Sequence, residues 1–253
     1  MHVIQMSGGI GSFWAAKRVV AQHGAANTVA LFADTLVEHP SLYTFLDDAC
    51  AHLGVELVVV ADGRTPFEVF FDEHFLGNSR LAPCSKRLKQ IPCRRWLETN
   101  CDPASTVVYV GIDADEPQRL PGVVKGWDGW NVQFPMSEEP HWAKEQMLDE
   151  CRALGITVPL LYELGYPHNN CSGLCVRAGQ RQWLLTLQLF PDEYAEAERE
   201  EQRFREKFGK DVAILRETVK GERRPLPLAE LRRRFEAGTV RVPVPKPPSI
   251  LAA

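Results

Sequence analysis

Ile4-Gln5-Met6-Ser7-Gly8-Gly9-Ile10-Gly11-Ser12-Phe13-Trp14-Ala15-Ala16-Lys17 is the stretch on which the fold turns. An apolar run enters a Ser-Gly-Gly turn, and Ser12 stands at the opening of a predicted helix. Glycines let the backbone approach a bulky anion. The N–H groups at a helix start, with a serine hydroxyl beside them, cradle phosphate. The pattern is not a Walker loop: the G-x-x-x-x-G-K-[ST] spacing is absent, and Lys17 falls a helical turn too late. Alone, a strand–SGG–helix segment also fits an ordinary tight βα turn, so the residues that follow decide.

They repeat the alternation. Val29 to Thr35 is a second apolar, β-rich run ending in Asp34-Thr35. Glu38-His39-Pro40-Ser41-Leu42-Tyr43 leads into an amphipathic helix closing at Gly54, and Val55 to Val60 reads as a third strand. Val107–Val110 supplies a fourth strand and Val132–Phe134 a short fifth. The expected fold is therefore α/β: an open, mostly parallel sheet with helices on both faces, whose ligands sit at the carboxyl ends of the strands. Three stretches are expected: a nucleotide-binding domain over 1–135, a helical segment over 136–190, and an appendage over 191–253. In the appendage, Glu193–Phe208 has the alternating charge of an exposed, paired helix face. Its Pro-rich tail, Val242–Pro248, reads as extended.

Composition narrows the class. At 253 residues and 45% apolar content the chain can bury one good core and carry a small appendage. No run of about 18 apolar residues marks a membrane span, and Met1–Gln5 lacks the basic-then-apolar start of a secretion signal; a cytoplasmic protein is expected. Seven cysteines, an odd number, argue against a disulfide framework. From about Arg203 onward Lys and Arg outnumber Asp and Glu, most densely at Arg223-Arg224 and Arg232-Arg233-Arg234. Such runs are either a solvated helix face or a surface for a phosphate backbone.

Five blocks in order resemble a known family. Ser7–Ser12 resembles the PP-loop of the ATP pyrophosphatases, or adenine nucleotide alpha hydrolases. Asp34-Thr35 with Glu38-His39-Pro40 is similar to the D-T-G-x-E-x-P-E-T segment of their phosphoadenylyl-sulfate (PAPS) reductase branch. Cys84-Ser85-Lys86-Arg87-Leu88-Lys89 with Pro92 is similar to its C-x-x-x-L-K-x-x-P stretch. Val110–Glu116 with Arg119 is similar to G-I-R-A-D-E-S-x-R. Pro159–Tyr166, followed by Cys171 and Cys175, resembles N-P-L-Y-x-x-G-Y and its cysteine pair. The blocks span residues 3–175. Two positions depart: many PP-loops carry aspartate where Gly11 stands, and Asp113 replaces an arginine that could hold a substrate phosphate or sulfate.

The resemblance implies a nucleotide site built from Ser7, Gly8, Gly9, Gly11, Ser12, Asp34, Thr35, Gly111, Asp115, Glu116, Arg119 and Arg177. ATP is the expected ligand, with Mg²⁺ bridging phosphate oxygens. Ser7, Ser12, Cys84 and Lys89 are the candidate catalytic groups. Asp34 is a candidate for Mg²⁺ or an adenosine hydroxyl, against a turn role. Arg177 and Arg181 are candidate phosphate clamps. The implied chemistry is adenylation: cleavage of ATP between the α and β phosphates and transfer of AMP to an acceptor.

The cysteines form a second constellation. His168, Cys171 and Cys175 lie on one short polar segment, and the resemblance places Cys84 near it. Lys86, Arg87 and Lys89 favour a thiolate at Cys84. With His168 or Cys93 as a fourth ligand, the set suits a [4Fe–4S] cluster or Zn²⁺; the alternative is reduced cysteines without metal. Cys50, Cys101 and Cys151 read as packing residues, as do Trp127, Trp130 and Trp142. His39 and His141 read as structural.

Sulfonucleotide reductases of this branch use a mobile C-terminal cysteine, and no cysteine follows Cys175. The first expectation is therefore ATP-dependent sulfur transfer to, or modification of, tRNA or DNA. Its implied partners are a sulfur donor protein and a second copy of the chain. The alternatives are a PAPS reductase using an external thiol and a non-catalytic nucleotide-binding subunit of a modification or defence complex.

Overall fold

A computed structural model describes residues 1–241; the Pro-rich tail expected over 242–248 lies outside the described residues. In chain order the elements are β1 (His2–Gln5), α1 (Ile10–His23), β2 (Thr28–Asp34), α2 (Pro40–Leu53), β3 (Glu56–Ala61), α3 (Pro66–Asp72), α4 (Ile91–Asn100), β4 (Val107–Val110), α5 (Leu120–Gly126), β5 (Asn131–Gln133), α6 (Lys144–Ala153), α7 (Leu160–Glu163), α8 (Gln180–Leu189), α9 (Pro191–Phe208), β6 (Leu215–Val219), β7 (Glu222–Leu226) and α10 (Leu228–Glu236). They divide into two compact units, 1–63 with 88–160 and 64–87 with 161–253. The boundary expected at 135 falls inside the first unit, and the one at 190 inside the second.

The first unit holds a five-stranded sheet in the order β3-β2-β1-β4-β5, every pair parallel. The expected α/β class is what forms. Both faces are covered, so β2 is apolar along its middle rather than alternating. On one face Val3, Leu31 and Val108 pack with Cys93 and Leu97 of α4 and with Trp127. On the other, Phe13 of α1 meets Phe45 of α2 at 5.9 Å between ring centroids, and Tyr43 meets Phe32 edge-on at 6.2 Å. Each such buried side chain contributes roughly 2–3 kcal/mol. His39 caps α2, Pro40 opens it, and Gly54 closes it at a φ of 66°.

Sheet order fixes where a ligand can go. From β1 the chain builds outward through β2 to β3, then lays β4 on the other side of β1. The loops leaving β1 and β4 therefore diverge at a topological switch point, where open α/β sheets bind ligands.

In the second unit Trp183, Tyr194, Phe204, Leu228 and Leu231 share one core with Phe70. The helix expected over Glu193–Phe208 is α9, which begins at Pro191. Beside it lies an antiparallel pair, β6 with β7, that a wholly helical appendage does not include. Its turn places Lys220 at φ 50° and Gly221 at φ 85°. Two consecutive left-handed residues give the twist a two-residue hairpin needs. Among the described residues no helix is long and apolar enough to cross a membrane.

Candidate functional site

The loop between β1 and α1 is shaped by its glycines and closed by its serines. Met6 N donates to Leu31 O at 2.9 Å, carrying the ladder one residue past β1. Gly8 then turns at φ 74°, and a β-carbon there would lie 2.6 Å from Leu42 Cγ, so only glycine fits. Ser12 Oγ donates to Gly9 O at 2.7 Å and accepts from Ser7 N at 3.2 Å; Ser7 Oγ reaches it at 3.3 Å. Gly9 N donates to Ser7 Oγ at 3.4 Å. Both hydroxyls hold the loop together, and a phosphate that draws on the Ser12 proton must first take it from Gly9. Gly9, which has no side chain, stands at the N-cap of α1, an end that carries positive partial charge.

Across the switch point the β4 loop touches this one. A β-carbon on Gly111 would lie 2.8 Å from Gly11 O and 2.9 Å from Ser12 Cα; the two backbones meet because Gly111 has no side chain. Beyond the fully buried Ile112, Asp113 turns back toward the loop. A β-carbon on Gly11 would stand 3.0 Å from Asp113 Oδ1. That oxygen is sealed from solvent and has no hydrogen-bond partner among the described residues. Burial raises the Asp113 pKa, and Asp115 and Glu116 add to the effect against Lys144 and Arg119. Arg119 is ion-paired to Glu116. The sequence marked Asp113 only as a missing cation; its contact with Gly11 could not be seen there.

At the end of β2 the polar residues serve one another. Asp34 Oδ1 accepts from Leu36 N at 2.8 Å and from the Tyr43 hydroxyl at 2.9 Å. This is the turn role, and burial followed by the Asp34 hydrogen bond raises the Tyr43 pKa. Thr35 Oγ1 donates to Glu38 Oε1 at 2.9 Å. Lys89 Nζ lies 3.5 Å from the same oxygen, with the Glu38 side chain only 1% exposed and that of Lys89 33%. Lys89 thus pairs with a buried carboxylate while a third of its own side chain is exposed. Trp127 belongs to the core, and Trp142 packs on Trp14 and under Arg18, so their packing role holds. His39 accepts from Ser41 N at 3.2 Å as the α2 cap.

Cys84, Cys171 and Cys175 all belong to the second unit, each half-buried. Cys84 packs on the same core as Leu174 and Ala178, close in sequence to Cys175. Cys171, Ser172 and Gly173 turn at φ values of 51°, 49° and 83°, a left-handed run that only glycine adopts without strain. Gly173 O holds it by accepting from Gln182 Nε2 at 2.9 Å and Thr186 Oγ1 at 3.1 Å. Yet among the described residues no group of three or more His, Cys, Asp or Glu side chains is placed to hold a metal ion. The expected ligand set, with His168 or Cys93 completing it, is thus not assembled among the described residues as such a group. Cys93 is the clearest departure: it lies in the first unit's core, where burial pushes its thiol up to about 12, away from the thiolate a metal needs. Arg177 lies in the loop before α8, so only Arg181 of that pair is helical; both are exposed.

The basic runs are largely neutralised. Arg224 pairs with Glu222, Arg232 with Glu198, Arg233 with Glu230, and Arg234 with both Glu217 and Glu230. A paired face matches these residues better than a phosphate-contact surface.

No family model and no curated protein matches the chain. Among solved structures it is similar to phosphoadenylyl-sulfate (PAPS) reductase from Candida auris, in a phosphate complex. The two are 19% identical, with a TM-score of 0.45 over 65% of this chain and 78% of that one. A score of that size is a likeness only; strand order and loop contacts are what define the site.

Proposed function

We propose that this chain binds ATP in the crevice between β1 and β4 and transfers AMP to an acceptor, releasing pyrophosphate. The observation that carries the reading is the backbone contact of Gly111 with Gly11 and Ser12 at the switch point. It brings two backbones into contact beside the start of α1, at a switch point of the kind that binds phosphate in open α/β sheets. In the step itself an acceptor oxygen attacks the α-phosphorus. The α–β bridging bond breaks, the electron pair leaves with pyrophosphate, and the acceptor's proton passes to solvent. The loop N–H groups meet the negative charge that grows on the leaving group. A divalent cation, if bound with the phosphates, would supply further positive charge there. Lys89, held by Glu38, offers a cation for the nucleotide from the neighbouring strand end.

The acceptor is proposed to belong to a sulfur-transfer or nucleic-acid modification reaction. The iron–sulfur and zinc readings gain no support from the ligand geometry. A second reading, ATP binding without turnover, is favoured by the commitment of the Ser12 proton to Gly9.

Pyrophosphate and AMP release from α-labelled ATP, with and without tRNA or DNA, tests the proposal. AMP appearing with nucleic acid supports the full reading, and tight ATP binding without AMP supports the second. Sulfite formed from PAPS with a thiol reductant, without ATP cleavage, overturns both in favour of a reductase.

A further inference from the structure

We propose that Asp113 is the protein's own ligand for a divalent cation that enters with the polyphosphate, so that the loop accepts its nucleotide only as the cation complex. This rests on the nucleotide reading of residues 7–12. Asp113 Oδ1 is fully enclosed and accepts no hydrogen bond among the described residues. Its counterpart at the end of β2, Asp34, instead satisfies both a backbone N–H and a tyrosine hydroxyl. Asp113 is also set against the phosphate loop itself, close enough that a side chain at position 11 would crowd the oxygen.

A phosphate group brings acceptors, and so does this oxygen. Two sets of acceptors facing each other repel unless something positive stands between them. Glu116 adds a third carboxylate to the strand end, beyond Asp115; Arg119 is already engaged with Glu116, and Lys144 offsets the Asp113 charge only in part, the Asp113 pKa staying raised. Mg²⁺ answers that requirement with one or two carboxylates and the substrate's own phosphate oxygens, keeping several waters. It needs no all-protein cage, and none of three or more ligands is present among the described residues. Gly11 belongs to the same device, because the room it leaves is the room the carboxylate occupies. Two departures from the PP-loop pattern, a missing aspartate at 11 and an aspartate in place of arginine at 113, thereby become one exchange of position.

Calorimetric titration of the full chain with ATP, in MgCl₂ and in EDTA, reads the effect directly. The expected result is binding at least tenfold tighter with Mg²⁺, and an Asp113→Asn protein whose affinity changes less than about threefold between the two conditions. Gly11→Ala approaches from the other side. It suits the helix, crowds Oδ1, and should also shrink the Mg²⁺ dependence. Electron paramagnetic resonance of Mn²⁺ with ATP supplies a readout independent of affinity, since the bound-ion spectrum should change in Asp113→Asn. Equal Mg²⁺ enhancement in wild type and both variants, with an unchanged Mn²⁺ spectrum, overturns the assignment of Asp113 and leaves the nucleotide site standing. Absence of ATP binding by the wild-type protein under either condition overturns both. Thermal unfolding of each variant separates loss of a ligand from loss of the fold.

Discussion

Two carboxylates, Asp113 beside the first unit's β1–α1 loop and Glu201 in the second unit's α9, are treated in opposite ways. Glu201 of α9 is buried, and its two oxygens accept from Ile214 N at 2.8 Å and Leu228 N at 2.6 Å. Arg234 reaches Glu217 at 2.6 and 3.0 Å and Glu230 at 2.7 Å. Asp113 Oδ1, equally enclosed, has no such partner among the described residues. An unmet buried acceptor costs about 1–3 kcal/mol. Glu201 is met from its own chain and Asp113 Oδ1 is not; Glu200 of α9 lies between the two cases, its Oε2 buried without a hydrogen bond among the described residues but ion-paired with Arg203.

The contrast breaks most readily at Gly111. Alanine there would press its β-carbon into Gly11 O and Ser12 Cα, backbone atoms at the root of α1 that have nowhere to yield. Gly111→Ala should destabilise the protein by about 3 kcal/mol and abolish ATP binding, as measured by denaturant unfolding and calorimetry. Gly221→Ala in the hairpin, where the β-carbon would meet open space, should cost about 1 kcal/mol for its positive φ and leave ATP affinity alone. Equal effects on binding would remove the distinction between a glycine that floors a site and one that only turns a chain.

Glu201 gives a smaller, pH-dependent effect. Burial raises its pKa to about 7, outweighing the two backbone N–H donors and Arg205, while Glu198 pushes the same way as burial. A carboxyl whose folded pKa exceeds its unfolded value contributes stability that is full below about pH 4.5 and disappears as pH rises through about 7. Relative to Glu201→Gln, the unfolding free energy of the wild-type protein should therefore fall by about 3 kcal/mol between pH 4.5 and pH 8. A pH-independent difference would mean that the two N–H donors fully offset burial of the carboxylate, which widens the contrast with the unmet Asp113 oxygen.

Much of this was legible in the residues. The SGG turn, the strand runs and Gly54 placed the sheet and its ligand edge, because apolar periodicity and glycine conformation act over short distances. Asp34 read equally as ligand or turn former, and only the Tyr43 hydroxyl decided it. The hairpin was hidden by its arginines: Arg223-Arg224 drew attention as charge, while Lys220-Gly221 between short alternating runs was the turn signal. Cys93 passed as a metal ligand although it lies four residues before Leu97, on the buried face of α4. Asp113 was out of reach, since its meaning comes from Gly11, on a different strand's loop.

The smallest expected effect sharpens the comparison from the second unit's side. Arg233 is fully exposed, its pKa raised by the Glu230 hydrogen bond and charge, and Glu230 also holds Arg234. Exposed pairs of this kind contribute little to stability, so Arg233→Ala should leave the thermal midpoint where it is. Its other use would be to meet a nucleic-acid phosphate, for which the pair must open. Removing one cation from such a surface lowers the slope of log affinity against log salt by about one. Filter binding of tRNA or duplex DNA across a salt series should give the same slope for Arg233→Ala and wild type. A slope lower by about one unit would show that this layer, too, keeps charge in reserve for a ligand, and the nucleic-acid surface would return to the basic run that first suggested it.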